Sequence, residues 1–380
     1  MWAHLTVNTM MKNNKIIILV SKGYVLKSGY YFRCIRDKEL LENLGYVVDI
    51  VLLSKSKFRG LHLSDSIPLY RIDKIAKLIS QFNLVMCENI GVSTAVNLLS
   101  ILNPFSQLKK MLVYHGSLAE LKHDRLFPIK SALYKFNEWF SVKYFDGIVV
   151  VSDAFKDILV KEYGNVISKK IITVPNYPND DFLKEISIVK MKPKNDLKSE
   201  LSLKKDFDIF TYAGNIQPWQ NLDYIIDIFY EIYQLENKSY FVFLSKYENE
   251  IHKKINDRIP QDNYKITFVE NSQIPKYLVA SDYLIVIRKQ DMINKVACPT
   301  KAIEYILSDT KIITSQNLGD ISNYVTKSGK GVVIDSTKNA KINAEVIIKE
   351  KNIINDNHHF KKKEKVEKEF SKFLSNKLQV

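Results

Sequence analysis

Short runs of Val, Ile, Leu and Tyr alternate along this chain with longer segments whose apolar positions recur every three or four residues. Ile16–Val20, Val47–Leu53, Leu84–Cys87, Met111–Tyr114, Gly147–Val151 and Ile171–Val174 read as strands that are apolar on both faces. Segments near 31–44, 73–81, 92–102, 128–144 and 152–163 read as the helices between them, with Gly45 suited to a C-cap and Ser152 to an N-cap. Strand then helix, repeated, predicts a parallel sheet covered on both faces. The rhythm stops over 177–206, a lysine-rich stretch with Pro178 and Pro193. It restarts with Ile209–Tyr212, Tyr240–Leu244, Ile266–Val269, Asp282–Ile287 and Lys311–Thr314, interleaved with helical patterns near 219–235, 248–258 and 274–280. The pattern predicts two doubly wound α/β domains, 1–177 and 208–355, joined by a junction at 178–207 and facing each other across a ligand cleft. Residues 356–380 place Val366, Phe370, Phe373, Leu374 and Leu378 at helical spacing among lysines, an amphipathic helix expected to return to the body.

Composition agrees with two domains and narrows the partners. The chain has 380 residues, 46% of them apolar, enough for two real cores. A formal charge of +14 calls for an anionic partner, whether nucleic acid, a phosphate-bearing substrate or an acidic membrane surface. Cys34, Cys87 and Cys298 are scattered and odd in number, which argues against a disulfide or zinc framework. No run reaches the ~18 apolar residues of a membrane span, so the expectation is a soluble cytoplasmic protein. In the predicted helix of 128–144, Ile129, Leu133, Phe136, Phe140 and Tyr144 form a stripe that reads first as core-facing. Tyr134 and Trp139 lie off it among Lys130, Lys135 and Lys143, a combination suited to an acidic bilayer surface.

The densest chemistry lies from Arg288 to Ser315. Pro299 suits the first position of a helix, with Thr300 and Lys301 in its first turn, and a helix start after a strand is a natural phosphate seat. Glu304 reads equally as an acceptor for sugar hydroxyls or as the partner of Lys301 in an i, i+3 ion pair. His115-Gly116 ends a strand of the first domain, where the imidazole either meets a ligand or packs as a cap; Glu120 and Arg125 follow on the same loop. Gly29 and the loop Gly214-Asn215-Ile216-Gln217-Pro218-Trp219-Gln220 occupy corresponding places after the first strand of each domain. No Gly-x-Gly-x-x-Gly follows the first strand, and no phosphate-binding GxxxxGK[ST] loop occurs. Asp206-Phe207-Asp208 lies at the junction rather than beyond a strand end, so no metal site is expected there.

Taken in order, His115-Gly116, Val151-Ser152 with Ile172–Asn176, Tyr212-Ala213-Gly214 with Trp219-Gln220, and Cys298–Tyr305 resemble the glycosyltransferases of family 4 type. The resemblance spans roughly 15–335 and implies the GT-B arrangement of two Rossmann-like domains, acceptor on the first and nucleotide sugar on the second. It implies a retaining, metal-independent enzyme with no cofactor, taking a UDP- or GDP-linked sugar and extending a lipid-linked saccharide or surface polysaccharide at the inner face of the cell membrane. By family pattern Glu304 holds the ribose, Thr300 and Lys301 the diphosphate, and His115 the donor sugar.

The chain departs from that pattern in two places. Ala297 stands where members often carry a second glutamate, and Gln217 and Gln220 occupy a loop where they carry Arg and Lys. Charge for the diphosphate is then expected from Arg288, Lys301 and Lys295, and sugar recognition from Asn294. A nucleotide-sugar epimerase of the same architecture is the alternative enzyme, and a basic nucleic-acid binder the alternative class. Dispersed lysines and the lack of a recognised binding module count against the latter.

Overall fold

The computed structural model describes residues 15–21, 29–54, 65–68, 71–102, 108–115, 128–350, 360 and 362–378. The chain divides into two compact units, Met1–Pro175 with Lys361–Val380, and Asn176–Phe360.

In the first unit the described strands are β1 (Lys15–Val20), β2 (Val47–Ser54), β3 (Asp65–Pro68), β4 (Leu84–Cys87), β5 (Lys109–Tyr114), β6 (Gly147–Val150) and β7 (Ile171–Thr173). They form one sheet in the order β3-β2-β1-β4-β5-β6-β7, and every pairing is parallel. Helices α1 (Gly29–Asn43), α2 (Ile72–Ile79), α3 (Ile90–Leu102), α4 (Pro128–Tyr144) and α5 (Asp153–Tyr163) make the crossovers. Gly45 takes a left-handed φ of 93° after α1, and the Ser152 hydroxyl accepts the Phe155 N–H at 3.1 Å to start α5, as the sequence suggests. β3 carries no such signal: a single apolar Ile67 and a terminal Pro68 are tolerable because this is an edge strand with one partner.

The apolar stripe of α4 is not the core face. Leu133, Phe136 and Tyr144 are exposed, while Asn137, Glu138, Ser141 and Val142 are buried. Asn137 and Ser141 meet α3, where the Asn97 amide donates to Ser141 Oγ at 2.9 Å and the Asn137 amide to Thr94 Oγ1 at 2.8 Å. Periodicity identified the helix but assigned the wrong side, because a buried hydrogen-bonded polar network replaces aliphatic packing here.

The second unit repeats the design with β8 (Asp208–Ala213), β9 (Ser239–Leu244), β10 (Tyr264–Thr267), β11 (Tyr283–Val286), β12 (Lys311–Ser315) and β13 (Gly331–Ile334), in the order β10-β9-β8-β11-β12-β13 and parallel throughout. Its core is strongly aromatic: Phe229 stacks on Phe241 at 4.5 Å between centroids, and Phe210 on Tyr283 at 4.7 Å. The stretch expected to be a junction is folded, as α6 (Asp180–Val189) and α7 (Lys194–Glu200); α8 (Leu222–Leu235), α9 (Glu248–Ile255), α10 (Ile274–Ala280) and α11 (Met292–Val296) follow along the chain. Phe182, Ile186 and Val189 recur at helical spacing and are buried, and Asn179 Oδ1 accepts the Phe182 N–H at 3.0 Å. The surrounding lysines had masked that face. Lys198, itself buried, pairs with Asp282 at 2.9 Å, which fastens α7 to the amino-terminal ends of β8 and β11.

The last described helix, Lys363–Leu378, belongs to the first unit. Val366, Phe370 and Leu374 are buried, and a Cβ on Gly147 would lie 3.1 Å from the Phe373 ring. Leu374→Ala should therefore cost the first unit about 2–5 kcal/mol. Urea denaturation followed by circular dichroism checks this; an unchanged midpoint would show that the helix lies outside that core.

A candidate anion-binding active site

The order of the second sheet reverses between β8 and β11, and ligands of doubly wound sheets sit beyond the strand ends at such a point. A cavity of about 370 Å³ lies there, lined by residues that follow β8, β9, β10 and β11 and by α12 (Thr300–Ser308). Of the residues singled out from the sequence, Gly214, Asn215, Gln220, Arg288 and Lys301 line it.

Arg288 follows β11 directly. Its backbone is held on both sides: the N–H donates to Ser315 Oγ at 3.0 Å, and the carbonyl accepts from Ser336 Oγ at 3.0 Å. Its guanidinium lies 3.4 Å from Asn294 Oδ1 and makes no ion pair among the described residues. Burial lowers its pKa, which for a guanidinium still leaves a full positive charge at neutral pH. A fixed cation without a carboxylate partner beside an open cavity is an electrostatic vacancy for an anion.

Lys301 is the second residue of α12, one position earlier in the helix than the sequence suggests, because Pro299 caps the helix from outside. Its ammonium is 3.1 Å from Glu304 Oε2, so the i, i+3 pair is formed, and Glu304 is buried. Thr300 is exposed at the helix start, where backbone N–H groups lack helical partners.

The Gly214 loop is shaped by its amides. Gln220 Oε1 accepts from the Tyr212 hydroxyl at 2.7 Å, and Gln220 Nε2 donates to Asn215 Oδ1 at 2.7 Å. A Cβ on residue 214 would come within 2.5 Å of both Gln220 Oε1 and the Tyr212 hydroxyl, so glycine is needed here for close approach. Asn294 does not line the cavity. It is 1% exposed, and its amide donates to the Lys289 carbonyl at 3.0 Å, so its position is that of a brace for the 288–294 loop rather than of a sugar ligand. That loop also contains a short helix, Met292–Val296, capped by Asp291, where a continuous loop was expected. Lys295 is exposed on it.

In the first unit His115 follows β5 as expected, with its ring turned against Glu88, Nε2 to Oε2 3.2 Å. Burial, then Arg33 and Arg36, holds the imidazole well below its usual pKa, while burial raises the Glu88 carboxyl; neutral forms of both are favoured. Asp37, Glu88 and His115 bring ligand atoms within 4.8 Å of one another. Arg36 binds Asp37 at 2.6 Å, and the fields of Arg33 and Arg36 reach both Glu88 and His115, which opposes a divalent cation there. Gly29 opens α1. Glu120 and Arg125 lie outside the described residues.

Several lining residues were given no role from the sequence: Ser245, Lys246 and Tyr247 after β9, Phe268 and Asn271 after β10, and Tyr305 in α12. The rule that ligands sit beyond strand ends would have found the first five; Tyr305 closes the Cys298–Tyr305 segment, but nothing there gave it a function. A buried acid of the first unit was also missed. Glu138 accepts from the Tyr163 hydroxyl at 3.0 Å, and burial pushes its carboxyl up to about 7.

Beyond this geometry, residues 193–367 match the family model described as Glycosyl transferases group 1. Similar solved structures include a glycosyltransferase from Rickettsia africae (TM-score 0.64, 14% identity, covering 96% of this chain and 94% of that one). HepE of Anabaena in complex with UDP is another (TM-score 0.63, 13% identity, 95% and 100%). So is sucrose-phosphate synthase of Thermosynechococcus elongatus (TM-score 0.62, 14% identity, 97% and 94%). No curated protein matches the sequence. At these identities the likeness establishes the GT-B fold.

Glu138 yields a pH test. A buried acid that binds its proton more tightly folded than unfolded contributes stability that is complete below about 4.5 and lost as pH rises through about 7. Glu138→Gln, which cannot ionise, should remove that loss, making the variant more stable than the parent at pH 8 by at most ~3 kcal/mol relative to pH 4.5. Thermal melts across that range measure it, and parallel curves for parent and variant would refute it.

Proposed function

We propose that this chain is a retaining, metal-independent glycosyltransferase of family 4 type. It moves a sugar from a UDP- or GDP-linked donor to a lipid-linked saccharide or growing surface polysaccharide. The observation that carries the reading is Arg288, a cation fixed at the switch point of the second sheet and unpaired among the described residues. A nucleoside diphosphate fits that vacancy: its charge meets Arg288 and Lys301, and the unpaired N–H groups at the start of α12 donate to its oxygens. HepE, of the same fold, is described in complex with UDP, which agrees with that ligand chemistry.

As the bond from the anomeric carbon to the diphosphate oxygen breaks, positive character develops on the sugar and negative charge on the leaving group. Arg288 and Lys301 stabilise the latter and supply the charge that a metal ion supplies elsewhere. Thr300 and the Lys301 ammonium hold phosphate oxygens, and Glu304 accepts from the ribose hydroxyls once Lys301 turns to the phosphate. The acceptor enters on the face the diphosphate leaves, with a phosphate oxygen taking its proton. Anomeric configuration is thereby retained. His115, Glu120 and Arg125 are assigned to the sugar and acceptor side.

The acceptor and its location rest on α4. Leu133 (66% exposed), Phe136 (56%) and Trp139 (37%) stand outward, and the Lys143 ammonium lies 4.9 Å from the Trp139 ring centroid. Leu98, Ile101 and Leu102 of α3 are also exposed, on the helix packed beside it. An apolar, aromatic and basic surface suits the acidic inner face of a membrane, and no described helix is long and apolar enough to cross one.

Assay against UDP- and GDP-sugars with lipid-linked acceptors is the direct test. Donor turnover without acceptor would indicate an epimerase, and salt-sensitive oligonucleotide binding without nucleotide-sugar affinity a nucleic-acid binder. Arg288→Ala is expected to weaken nucleoside diphosphate binding by about 1.5–3 kcal/mol while leaving nucleoside binding alone, and a chelator should leave turnover unchanged. Calorimetry settles the first point and initial rates the second.

For the membrane reading, vesicles containing anionic lipid should cosediment the protein and neutral vesicles should not. Replacing Phe136 and Trp139 together by Ser should abolish the association without altering the circular dichroism spectrum. Equal sedimentation of parent and double variant would remove α4 from any membrane contact.

A further inference from the structure

Tyr305 lies one helical turn beyond Lys301 on α12, so both side chains share a face, and both line the cavity. The side chain is 1% exposed. Its hydroxyl oxygen accepts the N–H of Ala213, the last residue of β8, at 3.1 Å. The hydroxyl proton has no acceptor among the described residues. Of the groups around it, the Arg288 guanidinium only donates, the Ala213 N–H already occupies the oxygen, and Tyr212 and Glu304, which could accept, make no hydrogen bond to it. An accepting oxygen polarises its own O–H and makes it a better donor. Burial raises the pKa of this phenol, so it stays protonated at neutral pH.

We propose that the Tyr305 hydroxyl donates a hydrogen bond to the diphosphate of the donor, completing with Arg288 and Lys301 a three-membered grip on the leaving group. This role rests on the donor-site reading above. It answers a shortage of charge on the opposite loop, where the cavity is lined by the neutral amides Gln220 and Asn215, which bind each other. A neutral donor there adds no charge that would have to be buried when the site is empty. As the diphosphate oxygens gain charge during transfer, the bond shortens and strengthens, so the contact is worth more at the transition state than in the bound donor.

Calorimetry with UDP against uridine, and GDP against guanosine, tests the assignment in the parent and in Tyr305→Phe. The variant removes the proton donor and also leaves the Ala213 N–H unmatched, so its melting temperature should fall. The nucleoside arm separates that structural effect from ligand contact. Diphosphate affinity is expected to fall about tenfold or more, with nucleoside affinity unchanged. An equal loss for both ligands, or unchanged diphosphate affinity, overturns the role of Tyr305 alone. Absence of diphosphate binding by the parent overturns the donor site itself and this role with it. Should Tyr305→Phe fail to fold, 3-fluorotyrosine placed at 305 keeps the hydroxyl and gives a single fluorine resonance. That resonance should move on adding the diphosphate and stay on adding the nucleoside; the same response to both overturns the proposal.

Discussion

Parallel strands buried on both faces can be joined only by crossovers that return the chain to the same starting edge. All carboxyl ends, and the helix starts that follow them, therefore collect on the opposite edge, where unpaired N–H groups give an excess of positive potential. In the second unit this edge also carries Arg288, whose charge is partly withdrawn from water with no ion pair among the described residues and only the field of nearby Asp291 to offset it. Such a group is unfavourable by itself. It is held nonetheless, because Ser315, Ser336 and Asn294 leave the 288–294 loop little freedom to turn it outward. The site is thus organised before any ligand arrives, and part of the stability of the apo fold is given up to keep it so.

The alternation of strands and helices was legible because a doubly wound sheet writes its burial into sequence as continuous apolar runs. Eleven expected strands appear within a residue or two of their ends, and the two-unit α/β architecture with them. Failures occurred where burial and hydrophobicity part company. The core face of α4 is built from Asn137, Glu138 and Ser141, so a pattern reader sees its outward aromatics instead. α6 and α7 are short and lie in a lysine-rich stretch with Pro178 and Pro193, one of whose lysines is buried, and they read as linker. β3 is an edge strand of four residues with too little apolar content to register.

The site was legible in a different way. Arg288, Lys301 and the Gly214 loop could be placed because position relative to strand ends and helix starts follows from topology. What the amides would do could not: whether Asn215, Gln220 and Asn294 face a ligand or protein depends on side-chain geometry that spacing does not encode, and here Gln220 and Asn215 bind each other at the cavity wall while Asn294 turns into the protein. The role of Tyr305, which closes the Cys298–Tyr305 segment, was hidden for a related reason. A tyrosine in the middle of an amphipathic helix reads as core, and only the position of its hydroxyl against Ala213 distinguishes it from one.

The pair between Lys198 and Asp282 bears on where this protein can be divided. Asp282 also accepts the Ile209 N–H at 2.9 Å and is reached by Lys194 at 3.1 Å, so one carboxylate joins α7 to the roots of the two central strands of the second sheet. The family match begins at residue 193, immediately before that helix. A fragment cut at 208 would strand Asp282 without either lysine, whereas one starting at 176 carries its own neutralising cations. For recombination between relatives, or a designed exchange of second units, the natural seam lies on the amino-terminal side of these helices.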